Sequence, residues 1–213
     1  MLPPARFLVK PSLSGRDHAA YHPQARTIGN FSYIIADPPT GEAWLVDPAW
    51  DIEELIAQIE QLDCLPTAVL LTHSHPDHCG GHLLELYIPG INDLPEIFES
   101  REWKPIPIFL HSEDLKTVAI HNPSVAEWLR PISQENAPSL AGEKLQFLHT
   151  PGHTPGSICY MIDGALFSGD TLFHNGHGRT DLPGGNEQEL EHSLKIIQEE
   201  LDKGWKLHPG HDY

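Results

Sequence analysis

The chain has 213 residues, enough to bury one sizeable core, and no run of about twenty apolar residues that would span a membrane. Its 13 Lys and Arg stand against 30 Asp and Glu, a formal net charge of −17 that argues against nucleic acid as a partner. Cys64, Cys79 and Cys159 are odd in number and lack C-x-x-C spacing, so no disulfide framework is expected. The first residues lack the charged-then-apolar order of a signal peptide, and the expected compartment is the cytoplasm.

Residues 1–27 show no clear periodicity and read as an extended arm or a strand near Phe7-Leu8-Val9, with His18 and His22 at the surface. Asn30–Ala36 and Ala43–Val46 read as two strands about the turn Asp37-Pro38-Pro39-Thr40-Gly41, and Asp47-Pro48 closes the second. Asp51 is a good N-cap with Glu54 three residues on, and Ile52, Leu55, Ile56, Ile59 and Leu62 follow at helical spacing. The apolar run Ala68–Leu71 comes next as a buried strand, and a crossover of this kind predicts parallel neighbours in an α/β sheet.

That strand leads into Thr72-His73-Ser74-His75-Pro76-Asp77-His78. In an extended segment residues i and i+2 face the same way, so His73 and His75 project together. Three imidazoles and a carboxylate in six residues are costly to bury unless something binds them, and a divalent metal is the obvious ligand. A solvated polar turn would suit one such histidine better than a cluster behind an apolar strand.

Gly80–Leu86 reads as a helix or loop, and residues 88–105, punctuated by Pro, as a loop excursion over the surface. Ile106–Leu110 is a strand, followed by helices near Asp114–His121 and Ser124–Leu129, the second ended by Pro131. Lys144–His149 is a strand, and Ser157–Ile162 with Ala165–Phe167 forms a hairpin across Asp163-Gly164. Asn186 caps a helix carrying Leu190, Leu194, Ile197 and Leu201 on one face, and Gly204–Leu207 is a short final strand.

One pattern recurs four times: an apolar strand, then a Gly/Pro turn carrying His or Asp. The positions are His73/His75/Asp77/His78, His153, Asp170 and His211. Open α/β sheets collect ligands at strand ends, so these loops are expected to meet. Five imidazoles and two carboxylates suit two divalent ions; zinc is the expected metal, with iron or manganese as alternatives. Ions sharing a bridging carboxylate sit roughly 3.5–4 Å apart and activate a common water near neutral pH. Of the remaining histidines, His111 and His149 read as supports of the site or core-edge residues, and His174 and His177 as loop residues. Cys79 reads as a small packing residue.

Thr72-His-Ser-His-Pro-Asp-His78, Pro151-Gly-His-Thr-Pro-Gly156, Gly169-Asp170-Thr-Leu-Phe173 and Pro209-Gly-His-Asp-Tyr213 resemble the metallo-β-lactamase superfamily. The resemblance is closest to its glyoxalase II-like (hydroxyacylglutathione hydrolase) branch and runs from about Asn30 to Tyr213. It implies an α/β fold, the αβ/βα sandwich of two mixed sheets flanked by helices, in a single domain over residues 1–213. The C-terminal helical domain of glyoxalase II has no counterpart before the chain stops at Tyr213.

By the same resemblance His73, His75 and His153 would hold one metal and Asp77, His78 and His211 the second, with Asp170 bridging them. The implied activity is hydrolysis of a small-molecule thioester such as an acyl-glutathione, with Asp77 and Asp170 in catalytic roles. Gly176-His-Gly-Arg-Thr-Asp-Leu-Pro-Gly-Gly185 is similar to the loop that contacts glutathione in glyoxalase II, with Arg179 on its basic position. A guanidinium there would fork onto a substrate carboxylate or brace the loop through Asp181. Tyr213 falls where the family has a Tyr facing the substrate. Persulfide dioxygenases share this fold, and in that reading a single iron would be held by His73, His153 and Asp170. A metal-stabilised scaffold without turnover is a third reading, opposed by the intact donor set. A ribonuclease of this superfamily is opposed by the acidic charge.

Overall fold

Neighbouring residues on the central strands face opposite ways, and both directions lead into packed cores. Ile35, Trp44, Val46 and Leu70 point one way, while Ile34, Leu45, Val69 and Leu71 point the other. In the computed structural model, which describes residues 5–213, this alternation builds two sheets with helices on their outer faces.

The first sheet has six strands. They are β1 (Leu8–Leu13), β2 (Phe31–Asp37) and β3 (Glu42–Val46), then β4 (Leu65–Leu70), reached through α2 (Ile52–Glu60). A short α1 (Pro23–Ile28) precedes β2. β3 and β4 run parallel, as the crossover predicts. Asp51 caps α2 by accepting from the Glu54 amide, and Leu55, Ile56 and Ile59 are fully buried against the sheet. Each such side chain contributes about 1.5–3 kcal/mol by leaving water.

After β4 comes a four-residue helical turn, α3 (Pro76–Cys79), and then a hairpin of β5 (Gly81–Leu83) and β6 (Leu86–Ile88). The segment expected to be helix or loop is therefore β-paired. Residues 88–105 are also a correction. Ile91–Asp93 is a 3-10 turn and α4 spans Leu94–Ser100, with Ile91, Leu94, Ile97 and Phe98 buried in the core. Pro95 reads as a breaker but lies in the first turn of α4, where a missing N–H costs nothing.

The sheet is completed by β7 (Ile108–Leu110), α5 (Ser112–His121) and β8 (Leu129–Pro131). The helix expected at Ser124–Leu129 is a 3-10 turn over Pro123–Trp128, and Pro131 belongs to β8, a sheet edge where proline is tolerated. β9 (Ser139–Leu140) and β10 (Glu143–Lys144) form a small ribbon.

The second sheet has the order β11 (Gln146–His149), β12 (Ile158–Ile162), β13 (Ala165–Gly169) and β14 (Lys206–Pro209). The β12–β13 turn has positive φ at both Asp163 (50°) and Gly164 (81°), the twist that a two-residue hairpin requires. Asn186 caps α6 (Glu187–Asp202) by accepting from the Gln188 and Glu189 amides, and Leu190 and Ile197 bury its inner face. Ile158, Tyr160, Ile162 and Phe167 meet Ile35, Trp44 and Val46 between the sheets, giving the expected αβ/βα sandwich. Among the described residues no helix is long and apolar enough to cross a membrane. His18, expected at the surface, is fully buried, bonded to Ser12 Oγ (3.1 Å) and the Ala49 carbonyl (3.2 Å), so polar partners rather than water satisfy its ring.

Candidate metal centre

The loops after β4, β11, β13 and β14 converge, as the recurring strand-then-turn pattern predicts. They bring together His73, His75, Asp77, His78, His153, Asp170 and His211. Donor atoms of His73, His75 and His153 lie within 4.8 Å of one another, and so do those of Asp77, His78 and His211. Asp170 lies between the two triads. Its Oδ1 is 3.1 Å from His78 Nε2, and its Oδ2 is 3.2 Å from His211 Nε2 and 3.5 Å from His153 Nε2.

Most of these rings are oriented by a partner on the nitrogen that faces away. His211 Nδ1 meets the Ile28 carbonyl (3.1 Å), His153 Nδ1 the Arg179 carbonyl (2.7 Å) and His78 Nδ1 Asp47 Oδ2 (3.2 Å). His73 Nδ1 is 3.0 Å from Thr72 Oγ1. A proton fixed on Nδ1 leaves the Nε2 lone pair aimed inward, the arrangement that ligating histidines use. His75 is the exception: its Nδ1 faces His153 Nε2 at 2.9 Å.

Two atoms test whether a cation belongs here. His73 Nε2 and Asp170 Oδ1 are buried with no hydrogen-bond partner, a costly condition that bound cations would relieve. The protonation tendencies of His73 and His75 agree. Burial, with His78 next, holds His73 well below the usual imidazole range, and burial with His153 takes His75 down to about 4, leaving both lone pairs free. Burial opposes a proton on His78, but Asp170 and Asp77 outweigh it and raise that ring. Burial likewise opposes charge on Asp170, yet His78 and His211 hold its carboxyl well below the carboxylate range. The donor set of nitrogens and carboxylate oxygens fits divalent metal ions.

Two residues of this centre were not legible in the sequence. Asp47, read only as the end of a strand, turns inward at φ 47°. Its Oδ1 accepts from the Thr72 amide (2.7 Å), and its Oδ2 from Thr72 Oγ1 (2.6 Å) and His78 Nδ1. One buried carboxylate thus braces a ring in each triad, His73 through Thr72 and His78 directly. Asn30 is the other, its side-chain amide 3.1 Å from Asp77 Oδ2. The close fit also explains Gly169, whose φ of 50° and absent Cβ let the chain pass against the Thr72 side chain. A Cβ at Gly210 would collide with Asp170 Oδ1.

Above the centre lies a cavity of about 430 Å³, lined by His75, Asp77, His153, Asp170 and His211 at its base and by Leu83, Phe173, His177, Arg179, Leu182 and Tyr213 around it. Arg179 is exposed and forks onto Asp181 (2.6 and 2.7 Å), pulling that carboxyl down to about 2. Tyr213 stacks on His211 with ring centroids 5.0 Å apart, and burial together with Asp170 raises its hydroxyl. His111 and His149 stack on each other at 3.8 Å outside the donor cluster, and His174 is exposed. Cys79 is buried beside Asn122, in the packing role expected of it.

A two-sheet sandwich with His and Asp loops at one end defines a class, and the comparisons agree with it. The model of the metallo-β-lactamase superfamily matches residues 26–211, and the chain belongs to that superfamily. Within it the chain is similar to hydroxyacylglutathione hydrolases. It is 31% identical over 188 residues to a hydroxyacylglutathione hydrolase of Shewanella loihica, spanning 86% of this chain and 62% of that one. It is also 31% identical over 186 residues to a probable polyketide biosynthesis zinc-dependent hydrolase, BaeB, of Bacillus velezensis, covering 86% and 73% of the two chains. The crystal structure of TTHA1623 in a di-iron-bound form aligns with a TM-score of 0.64 at 30% identity, over 87% of this chain and 89% of that one.

Proposed function

We propose that this protein is a two-metal hydrolase of thioesters, with acyl-glutathiones as the first substrate class to test. The observation that carries the reading is Asp170, whose two oxygens face ring nitrogens of both triads. A carboxylate can engage one ion through each oxygen, which a neutral imidazole cannot do. His73, His75 and His153 would hold one ion and Asp77, His78 and His211 the other. Zinc suits the donors, as the name of the Bacillus velezensis relative suggests, and iron or manganese would accept the same set.

When bound, two such ions supply a hydroxide-strength nucleophile near neutral pH and polarise an acyl carbonyl. The remaining work falls to the chain. Four of the five imidazoles, His73, His78, His153 and His211, are committed on their far side, which keeps the donor geometry fixed with little reorganisation during reaction. Asp77 is the carboxylate of the centre most open to the cavity, with its side chain 18% exposed, and it orients or accepts the proton of the attacking water. A thiolate leaves without an acid, because thiols ionise near ~8.5. Arg179 and Tyr213 stand at the rim for the distal part of the substrate. If Arg179 exchanges Asp181 for a glycyl carboxylate, it trades one bidentate pair for another of similar strength.

The test pairs metal analysis with two assays, hydrolysis of an acyl-glutathione and oxygen uptake with glutathione persulfide. Two ions per chain and hydrolysis support the proposal. One iron per chain with oxygen uptake would replace it with the dioxygenase reading, which leaves His75, Asp77, His78 and His211 without a cation.

A further inference from the structure

Asn30 lies just before β2, with its backbone paired to Ser14 and bridged to His211. Its side chain enters the triad of Asp77, His78 and His211. The amide nitrogen Nδ2 is 3.1 Å from Asp77 Oδ2, 3.1 Å from His78 Nε2 and 3.5 Å from His211 Nε2. The orientation of this amide is settled by Trp50, a fully buried indole whose Nε1 donates to Asn30 Oδ1 at 2.8 Å. A flipped amide would set its NH2 against the indole N–H, two donors facing each other in a buried site.

The consequence is chemical. An amide oxygen is a competent ligand for a hard or borderline cation, but an amide NH2 has no lone pair to offer. Trp50 therefore turns the donating end of Asn30 toward the triad and keeps the coordinating end away from it. Among the described residues no side-chain amide plays this part beside His73, whose Nε2 is buried with no hydrogen-bond partner. The two triads are thus unequal: in the first, the hydrogen bond between His75 Nδ1 and His153 Nε2 is released when a proton moves between the nitrogens of His75, whereas the amide beside the second cannot exchange its ends while Trp50 holds it.

Resting on the two-ion reading above, we infer that Asn30, pinned by Trp50, is a positioning residue that weakens the Asp77/His78/His211 triad for its cation relative to the His73/His75/His153 triad. The two ions then bind in order, and the second is the exchangeable one. Asn30→Asp is the sharp variant, because it keeps the acceptor for Trp50 and replaces the NH2 by a coordinating, negatively charged oxygen. Trp50→Phe is the independent one, because it removes the indole N–H and frees the amide to turn its oxygen inward.

The experiment strips the full-length protein with a chelator, titrates it with zinc against a chromophoric competitor, and records melting temperatures with and without zinc. The unaltered protein is expected to bind two zinc ions with separable affinities. Asn30→Asp should tighten the second ion at least fivefold and leave the first within about threefold, while the stripped protein melts lower and zinc raises its melting temperature by more. Trp50→Phe should tighten the second ion to a smaller degree. A second-ion affinity in Asn30→Asp that improves less than fivefold, or weakens, overturns the inference; should that variant not fold, an unimproved second ion in Trp50→Phe overturns it. Binding of a single ion by the unaltered protein overturns the two-ion reading itself, and this inference with it.

Discussion

At and beneath the base of the cavity His73, His78 and His211 are 2% exposed or less, and each ring is held by a partner on its outward nitrogen. At the rim Tyr213 is 56% exposed, and the Arg179 side chain is 62% exposed and, among the described residues, tied only to Asp181. The base is overdetermined: losing one partner leaves a buried donor or charge unpaired, which costs far more than the hydrogen bond is worth. The rim is underdetermined, because an exposed ion pair contributes little and can be exchanged for a substrate group. Under the proposed hydrolysis the chemistry would be fixed by the base, and the choice of substrate left to rim groups that move at little cost.

The contrast is broken most severely at Asp170. Asp170→Asn keeps the shape but removes the charge that, in the proposed centre, would offset two neighbouring cations. It should deplete at least one metal and lower turnover by more than about 100-fold, beyond what changes to residues supporting a ligand produce. Metal analysis beside a rate assay reads both effects, and full metal content with near-normal turnover would refute the bridging role.

Asp47→Ala should come next. It leaves Thr72 and His78 without their shared acceptor and should weaken metal binding roughly 10–100-fold, since partners of ligands matter nearly as much as ligands. A competition titration measures this directly, and an unchanged affinity would show that the ring orientations do not depend on Asp47. Arg179→Ala should be smallest and different in kind. Arg179 is outside the donor cluster, so the variant should raise KM for an acyl-glutathione several-fold while kcat changes less, the pattern of binding lost equally from ground and transition states. An unchanged KM would remove Arg179 from the substrate site.

The base was also the more legible region. Each expected metal ligand follows an apolar strand and sits in a Gly- or Pro-marked turn, so local pattern alone brought all seven to the convergent strand ends. Hairpin and cap chemistry was equally local, as Asp163-Gly164, Asp51 and Asn186 show. What escaped depends on distant partners. Asp47 reads as an ordinary Asp-Pro strand stop, and only the approach of the loop carrying Thr72 and His78 gives it work. Asn30 and Trp50 are 20 residues apart, and nothing in their spacing announces a shared hydrogen bond. Residues 88–105 were misread because prolines mark turns in most contexts, whereas the spacing of Ile91, Leu94, Ile97 and Phe98 decided the outcome. His18 was misread because a lone histidine in an aperiodic arm carries no sign of burial.

The claim that two cations share this centre is tested most directly by the metal-to-protein ratio of the unaltered enzyme beside His75→Ala and His78→Ala. These residues belong to different triads, and neither is a ligand in the one-iron alternative. The account predicts two ions per unaltered chain, loss of about one ion in each variant, and no hydrolysis by either folded variant. One ion in the unaltered protein, kept in full by both variants with activity intact, would contradict it.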